Sequence, residues 1–148
     1  MPFGTLARPF EPQQSTDPRM EKFIIEGGAP LSGTVAPAGN KNAALPALAA
    51  TLLTGQEVVL RNIPRIRDVE AMIELLDRLG AVVEWRDENV VAVRADQVSH
   101  TDVDAGWAER IRASFLLAGP LLARFGEAEM PPPGGDVIGR RRLDPHLD

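Results

Sequence analysis

The feature that most constrains this chain is an internal repeat with a period of 71 residues. At that offset Lys41 falls on Arg112, Leu45 on Leu116 and Gly55 on Gly126. In both copies a cation near a helix start is followed fourteen residues later by a glycine, then a strand-like piece, then a basic segment that ends in an acid. NIPRIRD in the first copy corresponds to PPPGGDVIGRRRLD in the second. A repeat of this kind predicts an α/β fold of duplicated strand and helix units, each helix presenting its N-terminus to an anion. The copies differ in one place. Gly55 to Asp68 is thirteen residues and Gly126 to Asp144 is eighteen, so the second copy carries five extra residues, and Asp136 lies among them. A lengthened loop on a repeated scaffold is where function is added.

Around the repeat the chain reads as follows. Residues 1–19 are rich in Pro, Gln, Ser and Thr without apolar periodicity and precede a second methionine at Met20, so a disordered extension or a mis-called start is expected. KFIIEG and GTVAPAG read as two short strands over residues 20–38. NKNAALPALAATLLTG predicts a helix from Asn40 to Gly55, and QEVVLRN a strand. IRDVEAMIELLDRLG predicts an amphipathic helix with Val69, Ile73, Leu76 and Leu79 on its buried stripe and Gly80 as its stop. AVVEW and NVVAVRA form a hairpin around Arg86, Asp87 and Glu88. WAERIRASFLLAGPLLARFG predicts one further helix, strained at Gly119-Pro120, and EAEM a strand-like segment.

Composition narrows the chemistry. A hydrophobic content of 44% in 148 residues supports a real core. The formal charge of -5 and the 5% of aromatic residues argue against nucleic-acid binding, which needs basic surface and rings for stacking. No apolar run is long enough to span a bilayer, and no secretory pattern opens the chain, so a cytoplasmic location without membrane contact is expected. Without cysteine there are no disulfides and no thiol nucleophile. The two histidines, His100 and His146, have no ligand spacing around them, so neither a metal nor a cofactor is expected.

The candidate residues follow from charge and position. Lys41, flanked by Asn40 and Asn42, combines an ammonium, amide side chains and the N–H groups of a helix start, which suits a phosphate or carboxylate. A solvated lysine at a helix end is the plain alternative. Arg112, in an otherwise apolar helix, either lies on a solvated stripe or faces a cleft with an anion in it. Arg140, Arg141 and Arg142 repel one another unless solvent or a polyanion screens them. Asp136 follows two glycines that permit unusual backbone angles, as a mobile acid would require. Proton donation by Asp136 needs a raised pKa, against which nearby arginines act.

GNKNAALPALAATLL, IRDVEAMIELLDRLGA, RIRASFLLAGPLLARFG and PGGDVIGRRRLDPH, in this order, resemble the enolpyruvyl transferases. Among these they are closer to the UDP-N-acetylglucosamine 1-carboxyvinyltransferases than to the 3-phosphoshikimate enzymes. The resemblance runs from Met20 to the end. It implies an inside-out α/β barrel of repeated strand and helix units, incomplete here, because family chains are about three times as long. Residues 39–148 would form part of one domain, and residues 20–38 would pair with a partner domain outside this chain.

The implied reaction moves the enolpyruvyl group of phosphoenolpyruvate to the sugar 3-hydroxyl. Lys41, Asn42 and Arg141 match positions that handle phosphoenolpyruvate. Arg112, Arg141, Arg142, Leu143, Asp144 and Pro145 match the sugar-nucleotide site, although Arg142 and Pro145 depart from the family's usual Pro and Leu. Asp136 stands where most members have the cysteine that donates a proton, which implies resistance to fosfomycin-type epoxides. The resemblance also implies that 148 residues alone do not turn over. The other class of function is a non-catalytic module that at most binds an anionic ligand.

Overall fold

A computed structural model describes residues 25, 27, 28, 30 and 32–135 of the chain. Residues 1–35 and 36–148 form two compact units. In the first, Ile25 and Val35 are 88% exposed, and no described residue belongs to a strand. The expected strand GTVAPAG is therefore not formed. A strand is defined by ladder hydrogen bonds, and residues 33–39 join no sheet. Most of KFIIEG lies outside the described residues.

The second unit begins its regular structure at helix α1, Lys41–Ala50, which tightens into a 3-10 turn over Thr51–Leu53. Asn40 caps the helix, its side-chain oxygen accepting the Asn42 N–H at 2.7 Å. Strand β1, Val58–Arg61, follows, and then helix α2, Arg67–Arg78. The buried stripe of α2 runs through Val69, Met72, Leu75, Leu76 and Leu79. Ile73, expected on that stripe, lies at its edge and is partly buried, because the helical period centres the stripe on Met72 instead. Gly80 ends the helix at φ 95°, and the His100 Nε2 donates to the Arg78 carbonyl at 2.8 Å. Strands β2, Val82–Asp87, and β3, Val90–Arg94, form the hairpin. Its turn is Glu88-Asn89, so Glu88 lies in the turn as expected while Arg86 and Asp87 belong to β2, which continues through a bulge between Trp85 and Asp87.

The sheet is antiparallel in the order β1-β3-β2, with Val58, Val93 and Val83 in one row and Leu60, Val91 and Trp85 in another. Opposed residues share a face, and these two rows face the core. Val59, Val82, Glu84, Arg86 and Arg94 lie on the other face, which is open to solvent. There Arg86 bridges Glu84 and Glu57, each at 2.9 Å. The fold is thus a two-layer α/β arrangement with helices on one face of the sheet.

The segment expected as one helix over WAERIRASFLLAGPLLARFG is broken. It divides into α3, Ala105–Ala108, a 3-10 helix, Arg112–Leu117, and α4, Ala118–Phe125. The break lies at residues 109–111, where Ile111 is extended, and not at Gly119-Pro120. Buried Ser114 makes the break possible, since its hydroxyl reaches the freed carbonyls of Ala108 at 3.1 Å and Ile111 at 2.9 Å. Pro120 falls in the first turn of α4, where a missing N–H does little harm. EAEM is reduced to a single parallel bridge between Glu129 and Asp102.

The repeat is visible in three dimensions. The 71-residue offset carries α1 and its 3-10 turn onto the 3-10 helix and α4, and carries Val58 onto the bridging Glu129. α1 packs against the 3-10 helix, and the turn Thr51–Leu53 packs against α4. Start meets start and end meets end, so the two repeat helices run parallel.

Gly39 sits where a Cβ would fall 1.9 Å from the Asn62 carbonyl oxygen, whereas a Cβ at Gly119 would meet nothing within 4 Å. Gly39→Ala is expected to destabilise the unit by about 1–3 kcal/mol through overpacking. Gly119→Ala is expected to be neutral or to stabilise by up to about 1 kcal/mol, as alanine is the better helix former. Urea unfolding of the two variants checks both, and equal stabilities would contradict the close approach at Gly39.

Candidate functional site

The parallel arrangement places Lys41 and Arg112 at the same end of the helix pair. Lys41 is the first residue of α1 and is half exposed. The backbone N–H groups around it are less available than sequence reasoning expects. Asn42 donates to the Asn40 side chain, and Ala43 and Ala44 donate to the Asn40 carbonyl at 3.2 and 3.0 Å. The attraction of this corner for an anion therefore rests on the Lys41 ammonium and the helix dipole.

The ammonium is held by a residue that sequence reasoning did not select. Lys41 Nζ donates to Asp68 Oδ2 at 2.6 Å. Asp68 lies in the first turn of α2, where the dipole of that helix favours a carboxylate. The one sequence signal for it is its place as the acid that closes NIPRIRD in the repeat. The same connection exposes Arg61, Arg65 and Arg67. Arg65 lies 4.4 Å above the Trp85 ring, a cation–π contact that fixes it against the sheet. Beside the start of α1 runs an open groove of about 360 Å³, with Gly39, Asn40 and Ala43 on one wall and Arg61 and Asn62 on the other.

Arg112 opens the 3-10 helix and is partly buried. The PPPGG segment docks beside it. Gly134 N–H donates to the Ala108 carbonyl at 3.1 Å and Gly135 N–H to the Glu109 carbonyl at 3.2 Å. A Cβ at Gly134 would fall 1.5 Å from the Glu109 carbonyl oxygen, and Gly135 adopts φ 91°. Gly135 bears out the expected unusual backbone angle. Gly134 serves a close backbone approach, so both glycines are anchored to the backbone at residues 108–109.

Asp136, Arg141, Arg142, Leu143, Asp144 and Pro145 lie outside the described residues. Asn42 stands next to Lys41 on α1, as its sequence position requires. Among the described residues no group of three His, Asp or Glu is placed to hold a metal ion, and no helix is long and apolar enough to cross a membrane.

Comparison with known proteins agrees with this architecture. The family described as EPSP synthase (3-phosphoshikimate 1-carboxyvinyltransferase) matches residues 25–148. UDP-N-acetylglucosamine 1-carboxyvinyltransferase of Bradyrhizobium diazoefficiens is 56% identical over 126 residues, covering 85% of this chain and 29% of the relative. The enzyme of the same name from Treponema denticola is 50% identical over 128 residues, covering 86% and 30%. The crystal structure of the enolpyruvyl transferase NikO from Streptomyces tendae superposes with a TM-score of 0.59 at 27% identity, covering 69% of this chain and 24% of that one. The chain thus spans less than a third of the length of these relatives. With a match over residues 25–148 and a related α/β fold, the chain belongs to the EPSP synthase family of enolpyruvyl transferases.

Proposed function

We propose that this chain is part of an enzyme that transfers the enolpyruvyl group of phosphoenolpyruvate to the 3-hydroxyl of UDP-N-acetylglucosamine and releases phosphate, the step that commits the sugar nucleotide to peptidoglycan. The observation that carries this reading is the 56% identity to a relative of that name over 126 residues. The Lys41 ammonium at the start of α1 supports it, as a cation placed where a phosphate would be drawn.

In the proposed reaction the sugar oxygen bonds to C2 of phosphoenolpyruvate while C3 gains a proton, and the hydroxyl proton passes to a base outside the residues assigned here. Elimination then breaks the bond between C2 and the phosphate oxygen, and C3 loses a proton to restore the double bond. Lys41 and Asn42, with Arg141, bind phosphoenolpyruvate. Arg112, Arg142, Leu143, Asp144 and Pro145, again with Arg141, hold the sugar nucleotide. Asp136 delivers the proton to C3, for which its carboxyl must be protonated on arrival. Exclusion of water on closure favours that state, and neighbouring arginines oppose it. The description of the matched family favours a second reading, in which shikimate 3-phosphate is the acceptor. The names of the relatives at 56% and 50% identity weigh against it.

A chimera in which residues 25–148 replace the matching segment of the Bradyrhizobium relative is expected to release phosphate from phosphoenolpyruvate only when UDP-N-acetylglucosamine is present. The 148-residue chain alone is expected to release none. Lys41→Ala in the chimera is expected to lower kcat by about a hundredfold or more. Release driven by shikimate 3-phosphate instead would replace this reading with the second.

Fosfomycin-type epoxides are expected to leave the chimera without time-dependent inactivation, because a carboxylate is a poorer nucleophile than a thiolate at such a carbon. Asp136→Cys is expected to create that inactivation. Mass spectrometry showing an adduct on Asp136 at low inhibitor concentration would contradict the assignment.

A further inference from the structure

We propose that Asp68 is a positioning residue for Lys41, holding its ammonium at the mouth of α1 before the anionic substrate arrives. The inference rests on the proposed role of Lys41 in binding phosphoenolpyruvate. At the first position of α1 a cation faces the positive end of the helix dipole, so an untethered Lys41 would swing its charge away from the corner where an anion binds. Asp68 supplies the opposing pull. Its carboxylate accepts from Nζ at 2.6 Å and stands in the first turn of α2, where the helix dipole favours it.

The asymmetry of the two partners sets which one positions the other. α2 is packed into the core through Val69, Met72 and Leu76, all fully buried, so Asp68 leaves from a well-anchored helix. Lys41 reaches it through a long stem that is half exposed. A rigid carboxylate therefore aims a flexible ammonium. Removing the carboxylate also removes a negative charge from the corner. Ground-state attraction for an anion then holds or rises while alignment is lost, and the two effects separate in KM and kcat.

Two measurements test this. In the 148-residue chain, 15N NMR is expected to show a slowly exchanging Lys41 ammonium signal that Asp68→Asn abolishes and Asp68→Glu largely restores. The melting temperature is expected to shift by no more than about 4 °C, as for a surface ion pair. In the chimera, Asp68→Asn is expected to lower kcat on the order of tenfold to a hundredfold with KM for phosphoenolpyruvate unchanged or lower, and Asp68→Glu to recover most of kcat. An ammonium signal indifferent to Asp68→Asn overturns the proposal. So does an unchanged kcat, or a parallel loss of kcat and melting temperature that Asp68→Glu does not rescue. A wild-type chimera without sugar-dependent phosphate release defeats the enolpyruvyl reading instead, and the ammonium signal still decides whether Asp68 holds Lys41.

Discussion

The apolar contact between the two parallel repeat helices is the interaction on which residues 36–148 depend. Leu45, Leu48 and Leu52 on the first and Leu117 and Leu121 on the second are buried, the last four completely and Leu45 all but a small remainder. Each fully buried leucine contributes about 2 kcal/mol, whereas a surface ion pair contributes about 0–1 kcal/mol. The seam therefore fixes the geometry and the charges adapt to it. Arg124 follows the seam, donating to the Leu52 carbonyl at 2.9 Å, so the end of one repeat helix caps the end of the other. The seam also brings Lys41 and Arg112 to one end, which neither residue could arrange by its own interactions.

The repeat does not pack as two equal halves. Leu45, Leu48 and Leu52 are buried in the first helix, and their counterparts 71 residues on, Leu116, Gly119 and Ala123, are exposed. Conversely Ala43, Pro46 and Ala50 are exposed, and their counterparts Ser114, Leu117 and Leu121 are buried. Each helix thus uses the face that the other leaves open, so the contact is heterologous rather than self-complementary. This accounts for apolar residues such as Leu116 on the surface of a chain whose core is well formed. It also accounts for the conformational difference, since different faces under pressure let the first helix tighten at its end and the second at its start.

What could be read from the sequence depended on whether local pattern or tertiary contact decided the outcome. α2 and the two hairpin strands were legible because their apolar periods are strong and Gly80 marks the boundary. Asn40 was legible as a helix start because its side chain satisfies a neighbouring N–H locally. The break at residues 109–111 was not, since it depends on Ser114 capturing freed carbonyls and on Gly134 approaching from 25 residues away in the chain. Residues 33–39 offer only Thr34 and Val35 as β-formers, and local composition cannot supply a ladder partner. At the candidate site the cations were legible as types and the repeat linked them. Asp68 was passed over because an acid at a helix start is explained locally by the dipole, and only the fold reveals the lysine opposite.

The five-residue insertion in the second repeat is attached in a way that bears on how a loop can act. Gly134 and Gly135 are tied by two hydrogen bonds to the backbone at residues 108–109, and Gly135 sits against the backbone of Arg112. Gly134 and Gly135 are thus anchored at the start of the second repeat helix, beside the cation that repeats Lys41. In the first repeat the corresponding connection is short, and it ends in Asp68 directly opposite Lys41. A longer loop adds little closure entropy, because that entropy grows only with the logarithm of length.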